Sequence, residues 1–229
     1  MSDANTPPAV PPSPGARAAD SQMESAAIAH ARAQAARDAG KKTPHASDCV
    51  MTQIVLPGDS NALGTAFGGR IMQWIDLAAA IACQRHCRSR VVTASIDDVH
   101  FVAPVKMGMA VELRARVNAA FHTSMEAGVR MESENPITGE RRHVCTAYLT
   151  FVSIAESGER LTVPQLELES SEDRRRNEDA VERRDVRLAK ARSRREREAR
   201  HEAAEQAKAE QERRRADENA PAEPGAKET

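Results

Sequence analysis

Residues 70 to 86 spell a helix that is apolar around most of its circumference, and this constrains the fold more than any other feature. Ile71, Trp74, Ile75, Ala78 and Ala82 fall on one stripe at helical spacing. A second face holds Met72, Ala79, Ala80 and Cys83, with a single acid, Asp76, among them. Polar residues fill only a narrow slice around Arg70, Gln73 and Gln84. A helix of this kind has to be buried, so something must wrap it.

The wrapping lies mainly downstream, as strands. Val111, Leu113, Ala115 and Val117 alternate with Glu112, Arg114 and Arg116. Met125, Ala127, Val129 and Met131 alternate with Glu126, Gly128 and Arg130, and Cys145, Ala147, Leu149 and Phe151 with Thr146, Tyr148 and Thr150. Residues 49–56 and 91–101 read as two further strands, and Asn135-Pro136-Ile137-Thr138-Gly139 as a hairpin turn. An antiparallel sheet with one apolar face needs a cover, and the central helix is the only element apolar enough. The expected class is α+β: one strand, a buried helix, then four strands around it.

The chain has 229 residues, and its apolar residues concentrate between 49 and 154. Residues 1–45 read as a Pro/Ala-rich lead, with an Ala-rich helix over 21–39 stopped by Gly40; the core occupies 46–158. Residues 159–229 form a tail of Arg, Glu, Lys and Ala, either a solvated helix or disordered. Val181 and Leu188 are one heptad apart, but Arg195 and Glu202 break the repeat, so no zipper is expected. A net charge of −1, with acids beside the arginine runs at 174–176 and 192–197, argues against nucleic acid as a partner. No apolar run approaches membrane-spanning length, so no membrane partner is expected. Without a secretory pattern, the four cysteines read as reduced thiols of a cytoplasmic protein.

Chemistry concentrates in PGDSNALGTAFGGRIMQWIDLAAAIA, residues 57–82. A carboxylate on a buried helix is costly unless paired or used, and burial would make Asp76 a better base near neutral pH. Gly68 and Gly69 at the helix start free backbone N–H groups for an anion or a developing oxyanion. Asn61 can donate and accept, although Asp59-Ser60-Asn61 is also ordinary turn chemistry. Together they suggest a base, a polar orienter and an oxyanion site, the parts for hydrolysing an acyl compound. Cys83, His86 and Cys87 spell C-x-x-H-C without a second ligand pair; the expectation is core packing and no metal.

The core resembles the hotdog-fold acyl-CoA thioesterases, of the brain type and their bacterial single-domain relatives. The resemblance is carried by Asp59-Ser60-Asn61-Ala62-Leu63-Gly64, Phe67-Gly68-Gly69, Met72-Gln73-Trp74-Ile75-Asp76 and Ala78-Ala79-Ala80. It continues through Val91-Val92-Thr93-Ala94-Ser95, Phe101, Pro104-Val105, Thr123-Ser124-Met125-Glu126 and the strand at 147–151. It implies an antiparallel sheet around one helix, and assembly as a dimer or a trimer of dimers. It also implies an acyl-CoA substrate at the dimer interface, with Asp76 of one subunit and Asn61 of its partner as the catalytic pair and no cofactor. Arg88, Arg90, Thr93 and Ser124 are candidates for holding CoA. Many relatives carry His where this chain has Ala62 or Leu63. Two rivals share the fold: a non-catalytic acyl-CoA-binding module, and a hydratase of acyl thioesters.

Overall fold

The computed structural model describes residues 40–218; the helix expected over 21–39 lies outside them. A 3-10 turn, Pro44–Ser47, leads into β1 (Cys49–Ile54), and a second, Pro57–Asp59, follows it. Helix α1 spans Gly68–Cys87; then come β2 (Arg90–Ile96), β3 (Ala110–Ala120), β4 (Ser124–Glu134), β5 (Arg141–Ile154) and helix α2 (Ser171–Glu218). All pairings are antiparallel, in the order β1-β3-β4-β5-β2, so β1 and β2 are the edges. The expected hairpin joins β4 to β5, with Asn135 Oδ1 accepting from the N–H groups of Ile137 and Thr138.

Alternation places the core. The inward residues of β3, β4 and β5, from Val111 to Phe151, are buried against α1. On the helix side Ile75, Ala78, Ala79, Ala82 and Cys83 are all 0% exposed. Alanine and cysteine along this seam let the helix backbone lie close to the sheet, while each large side chain such as Ile75 contributes about 1.5–3 kcal/mol by leaving water.

The structure departs from the sequence reading in three places. Helix α1 is not buried all round: Met72, Asp76, Ala80 and Ile81 are half-buried, and Leu77 is 49% exposed. The strand expected to run to 101 ends at Ile96. Beyond it Asp97 N–H bonds to the Tyr148 carbonyl and Val102 N–H to the Val144 carbonyl of β5. The packed body also extends past both expected boundaries, 46 and 158. Lys42 bridges to Leu166, Pro44 is buried, and so are Leu161 and Val163. Short apolar pairs among charges carry no period, so composition alone assigns them to the tail.

Helix α2 opens with a capping box. Asp173 N–H donates to Ser170 Oγ at 3.0 Å, and Asp173 Oδ2 accepts from the Ser170 N–H at 3.1 Å and hydroxyl at 2.7 Å. Burial opposes ionisation of Asp173, but these bonds and the Arg116 charge hold its carboxyl below the usual range. The chain divides into two compact units, one ending at Ala180 and one beginning at Val181. The second is a charged helix to Glu218, with pairs such as Arg194–Glu198 at 3.5 Å and Arg200–Glu196 at 3.8 Å. Exposed pairs of this spacing are each worth about 0.3–0.5 kcal/mol.

The β3–β4 register slips between Val117 and Ala119, so Asn118 has no residue opposite it in the β4 register. Its amide fills the space over Gly128, where an added Cβ would meet Asn118 Nδ2 at 2.5 Å. Asn118 is 3% exposed and has little room to retreat. Gly128→Ala is therefore expected to cost about 1–3 kcal/mol of stability, as overpacking does. Urea unfolding of the two proteins checks this, and an unchanged midpoint would contradict the packing described.

Candidate active site

The Asn61 loop is built by its own hydrogen bonds. Asn61 N–H donates to the Thr65 carbonyl at 2.8 Å, and Gly64 N–H to the Asn61 carbonyl at 3.0 Å. The side-chain oxygen Oδ1 accepts from Leu63 N–H (2.9 Å), Thr65 N–H (3.2 Å) and Thr65 Oγ1 (3.2 Å). Backbone N–H groups can only donate, so these bonds fix which end of the amide is oxygen. The turn role expected for this residue and a chemical one are thus compatible. The oxygen builds the loop, and the Nδ2 hydrogens are the part of Asn61 not spent inside it.

The loop delivers the chain to the start of α1. Phe67 is the N-cap and offers no side-chain cap; its carbonyl takes the N–H groups of Arg70 (2.9 Å) and Ile71 (3.1 Å). The N–H groups of Gly68 and Gly69 at the positive end of the helix are left for an outside acceptor. A Cβ on Gly69 would press on the Phe67 ring at 3.2 Å, so a side chain there would disturb the turn.

Asp76 lies mid-helix on the half-buried flank, not in the apolar seam. Thr93 Oγ1, from the edge strand β2, donates to its Oδ1 at 2.7 Å. The β2–β5 register shifts between Thr93 and Ser95, and such bulges re-aim side chains. Sequence reasoning places Thr93 among the candidates for holding CoA; in the structure its hydroxyl bonds to the carboxylate. Eight residues separate Gly68 from Asp76, about 12 Å of helix rise. Beside Asp76 and Thr93, Leu77 on α1 and Ile96 on β2 are 49% and 42% exposed, and β2 is an edge of the sheet among the described residues.

The other candidates lie elsewhere. Arg88 follows the C-terminal end of α1, with its N–H on the Gln84 carbonyl at 2.8 Å. Its neighbour Arg90 pairs with Glu156 at 2.7 Å. Ser124 opens β4, and the register row Val92–Val152–Ser124 sets it two strands, about 10 Å, from β2. Sequence reasoning missed Lys42. Its Nζ donates to the His86 carbonyl at 2.7 Å; burial, then the positive charge of Arg88, pushes its ammonium below the usual range. Lys42 and Arg88 thus form a basic pair at the C-terminal end of α1.

The C-x-x-H-C residues are engaged in packing. Burial pushes the Cys83 thiol well up, and Ser89 Oγ donates to Cys87 Sγ at 3.1 Å. His86 Nε2–H donates to the Pro164 carbonyl at 2.7 Å, and burial pushes its imidazole below the ordinary value despite that bond. Among the described residues no group of three or more His, Cys, Asp or Glu is arranged to hold a metal ion, and no helix is long and apolar enough to cross a membrane.

Arg88 has φ 55°, the left-handed conformation that glycine usually supplies at a helix end. That conformation costs a residue with a Cβ about 1–2 kcal/mol. Arg88→Gly is expected to raise unfolding stability by about 1 kcal/mol. A denaturant midpoint that falls would contradict the strain.

Residues 63–140 match the model of the Thioesterase superfamily. The chain is 39% identical over 137 residues to the uncharacterised acyl-CoA thioester hydrolase YkhA of Bacillus subtilis, which covers 60% of this chain and 80% of that protein. It is 36% identical over 141 residues to mouse acyl-coenzyme A thioesterase 11; this is 62% of the chain but spans only 24% of that longer protein. Among solved structures, an apo-hexameric acyl-CoA thioesterase superposes with a TM-score of 0.64 at 41% identity, covering 66% of this chain and 97% of that one. The Staphylococcus aureus acyl-CoA hydrolase in complex with butyryl coenzyme A gives 0.61 at 33%, covering 67% and 95%. Mutants of that hydrolase have also been solved with alanine replacing one aspartate, one asparagine or one threonine.

Proposed function

The chain belongs to the acyl-CoA thioester hydrolases of the thioesterase superfamily, and on that premise we propose that it hydrolyses fatty acyl-CoA at sites completed by two copies of itself. One protomer supplies Asp76 and Thr93; its partner supplies Asn61 and the N–H groups of Gly68 and Gly69. The observation that carries this reading is the separation of about 12 Å, set by helix rise, between Gly68 and Asp76. Exposed Leu77 and Ile96 beside the open β2 edge support a second copy covering this flank. The hexameric relative supports a homo-oligomer of some size.

In the proposed reaction, Thr93 engages Oδ1 of Asp76 and leaves Oδ2 to take a proton from water. The water oxygen bonds to the thioester carbon as the carbonyl becomes an oxyanion. The helix-start N–H groups stabilise that oxyanion, a donor being worth about 2.7–4 kcal/mol of barrier. Collapse breaks the carbon–sulfur bond; the proton held by Asp76 goes to the leaving sulfur, and the free acid and CoA depart. Asn61, with its oxygen committed to the loop, acts as a donor through Nδ2, to the water or to the carbonyl. The three residue types replaced in the Staphylococcus aureus mutants are those of Asp76, Asn61 and Thr93, which supports the assignment. Lys42 and Arg88, about 16 Å or more along the helix axis from Asp76, suit the phosphates of CoA.

Free-thiol release from short, medium and long acyl-CoAs tests the proposal. Asp76→Asn and Asn61→Ala should each lower kcat by about 10²–10³, with folding and assembly intact. Full activity in either purified variant would sink the assignment. Acyl-CoA binding without thiol release by the wild type would instead favour a binding module.

A further inference from the structure

We infer that the Asp59–Arg70 ion pair is a positioning device for the reaction, fixing the Asn61 loop against the first turn of α1. The inference rests on the role given to Asn61 above. Arg70 Nε lies 2.8 Å from Asp59 Oδ1, and the Asp59 side chain is 14% exposed. The other carboxylate oxygen accepts Leu56 N–H at 3.0 Å, and the Asp59 carbonyl accepts Phe67 N–H at 2.8 Å. One residue thus holds the chain entering the loop, the chain leaving it and the helix that follows. Asn61 sits two residues from this knot, and Gly68 and Gly69 lie between Phe67 and Arg70.

A second observation points the same way. Arg70 is the third residue of α1, and the first turn contains no acid. A cation there opposes the helix dipole by about 0.3–1 kcal/mol, and helix chemistry alone favours an acid. Arg70 accepts that cost where its guanidinium reaches back to Asp59, with Nη1 also on Gln73 Oε1 at 2.7 Å. The far side of the loop is tied separately, through Ala66 N–H to the Val105 carbonyl and Met107 N–H to the Gly64 carbonyl. Loss of the ion pair therefore tilts the loop without releasing it. Asn61 and the glycine N–H groups would lose their common aim while both remain present.

The test compares Asp59→Asn, Arg70→Gln, Arg70→Lys and the Asn/Gln double variant, each also in an Asn61→Ala background. Steady-state thiol release is read beside amide hydrogen exchange over residues 60–67. In the native background kcat should fall about 10- to 100-fold in Asp59→Asn, the cost of a small misplacement, with KM nearly unchanged. The double variant should be no worse than the more damaged single one, and Arg70→Lys should recover part of the loss. With Asn61 already gone, the same substitutions should cost clearly less, leaving only the share carried by the glycine N–H groups, whereas a merely structural role would cost as much in either background. An unchanged kcat, or an undiminished loss in the Asn61→Ala background, overturns the inference. If the wild type releases no thiol, the functional reading fails on its own. The latch is then judged by exchange alone: faster exchange over 60–67 in Asp59→Asn upholds it, and unchanged exchange overturns it.

Discussion

The structure depends on the seam between α1 and the sheet. Ala78, Ala79, Ala82 and Cys83 bring the helix backbone down onto β3 and β4, and the alternating residues of those strands close around it. Once the helix is held along its length, its rise fixes the spacing of everything it carries. The N–H groups at its start and the carboxylate at its middle are rigidly apart. Among the described residues, the flank that bears the carboxylate is left half-buried.

The two halves of the chemistry are arranged differently. Asp76 is held by one bond from Thr93, aimed by a bulge in the edge strand. Asn61 is held by three bonds to its oxygen, all from its own loop. In the proposed mechanism this leaves the carboxylate one oxygen for a proton and the amide only its donors. Pre-set groups of this kind need little reorganisation when charge develops.

Much of this is legible in the residues. The period of residues 71 to 83 gives the helix and its buried face, and strict alternation gives β3, β4 and β5. The site parts fall in one stretch because the loop and the helix are consecutive. What stays hidden depends on contacts between distant segments. Thr93 reads as a candidate for holding CoA, and only the fold, with a bulge beside it, brings its hydroxyl onto Asp76. Arg90 reads as a free cation until Glu156, 66 residues later, takes it up. Leu161 and Val163 read as tail because two apolar residues carry no period. Asp76 reads as interior because its helix is apolar on most sides; the described residues leave that flank half-buried, and sequence does not distinguish burial by the same chain from burial by a second copy.

The central claim is that neither protomer alone holds a complete site, and subunit mixing tests it most directly. Inactive Asp76→Asn and inactive Asn61→Ala would be unfolded together, refolded as mixed assemblies and assayed for thiol release. A site that draws one residue from each copy predicts recovered turnover, because some interfaces in the mixture pair an intact Asp76 with an intact Asn61. If mixed assemblies form and remain as inactive as their parents, both residues act from the same chain and the account is contradicted.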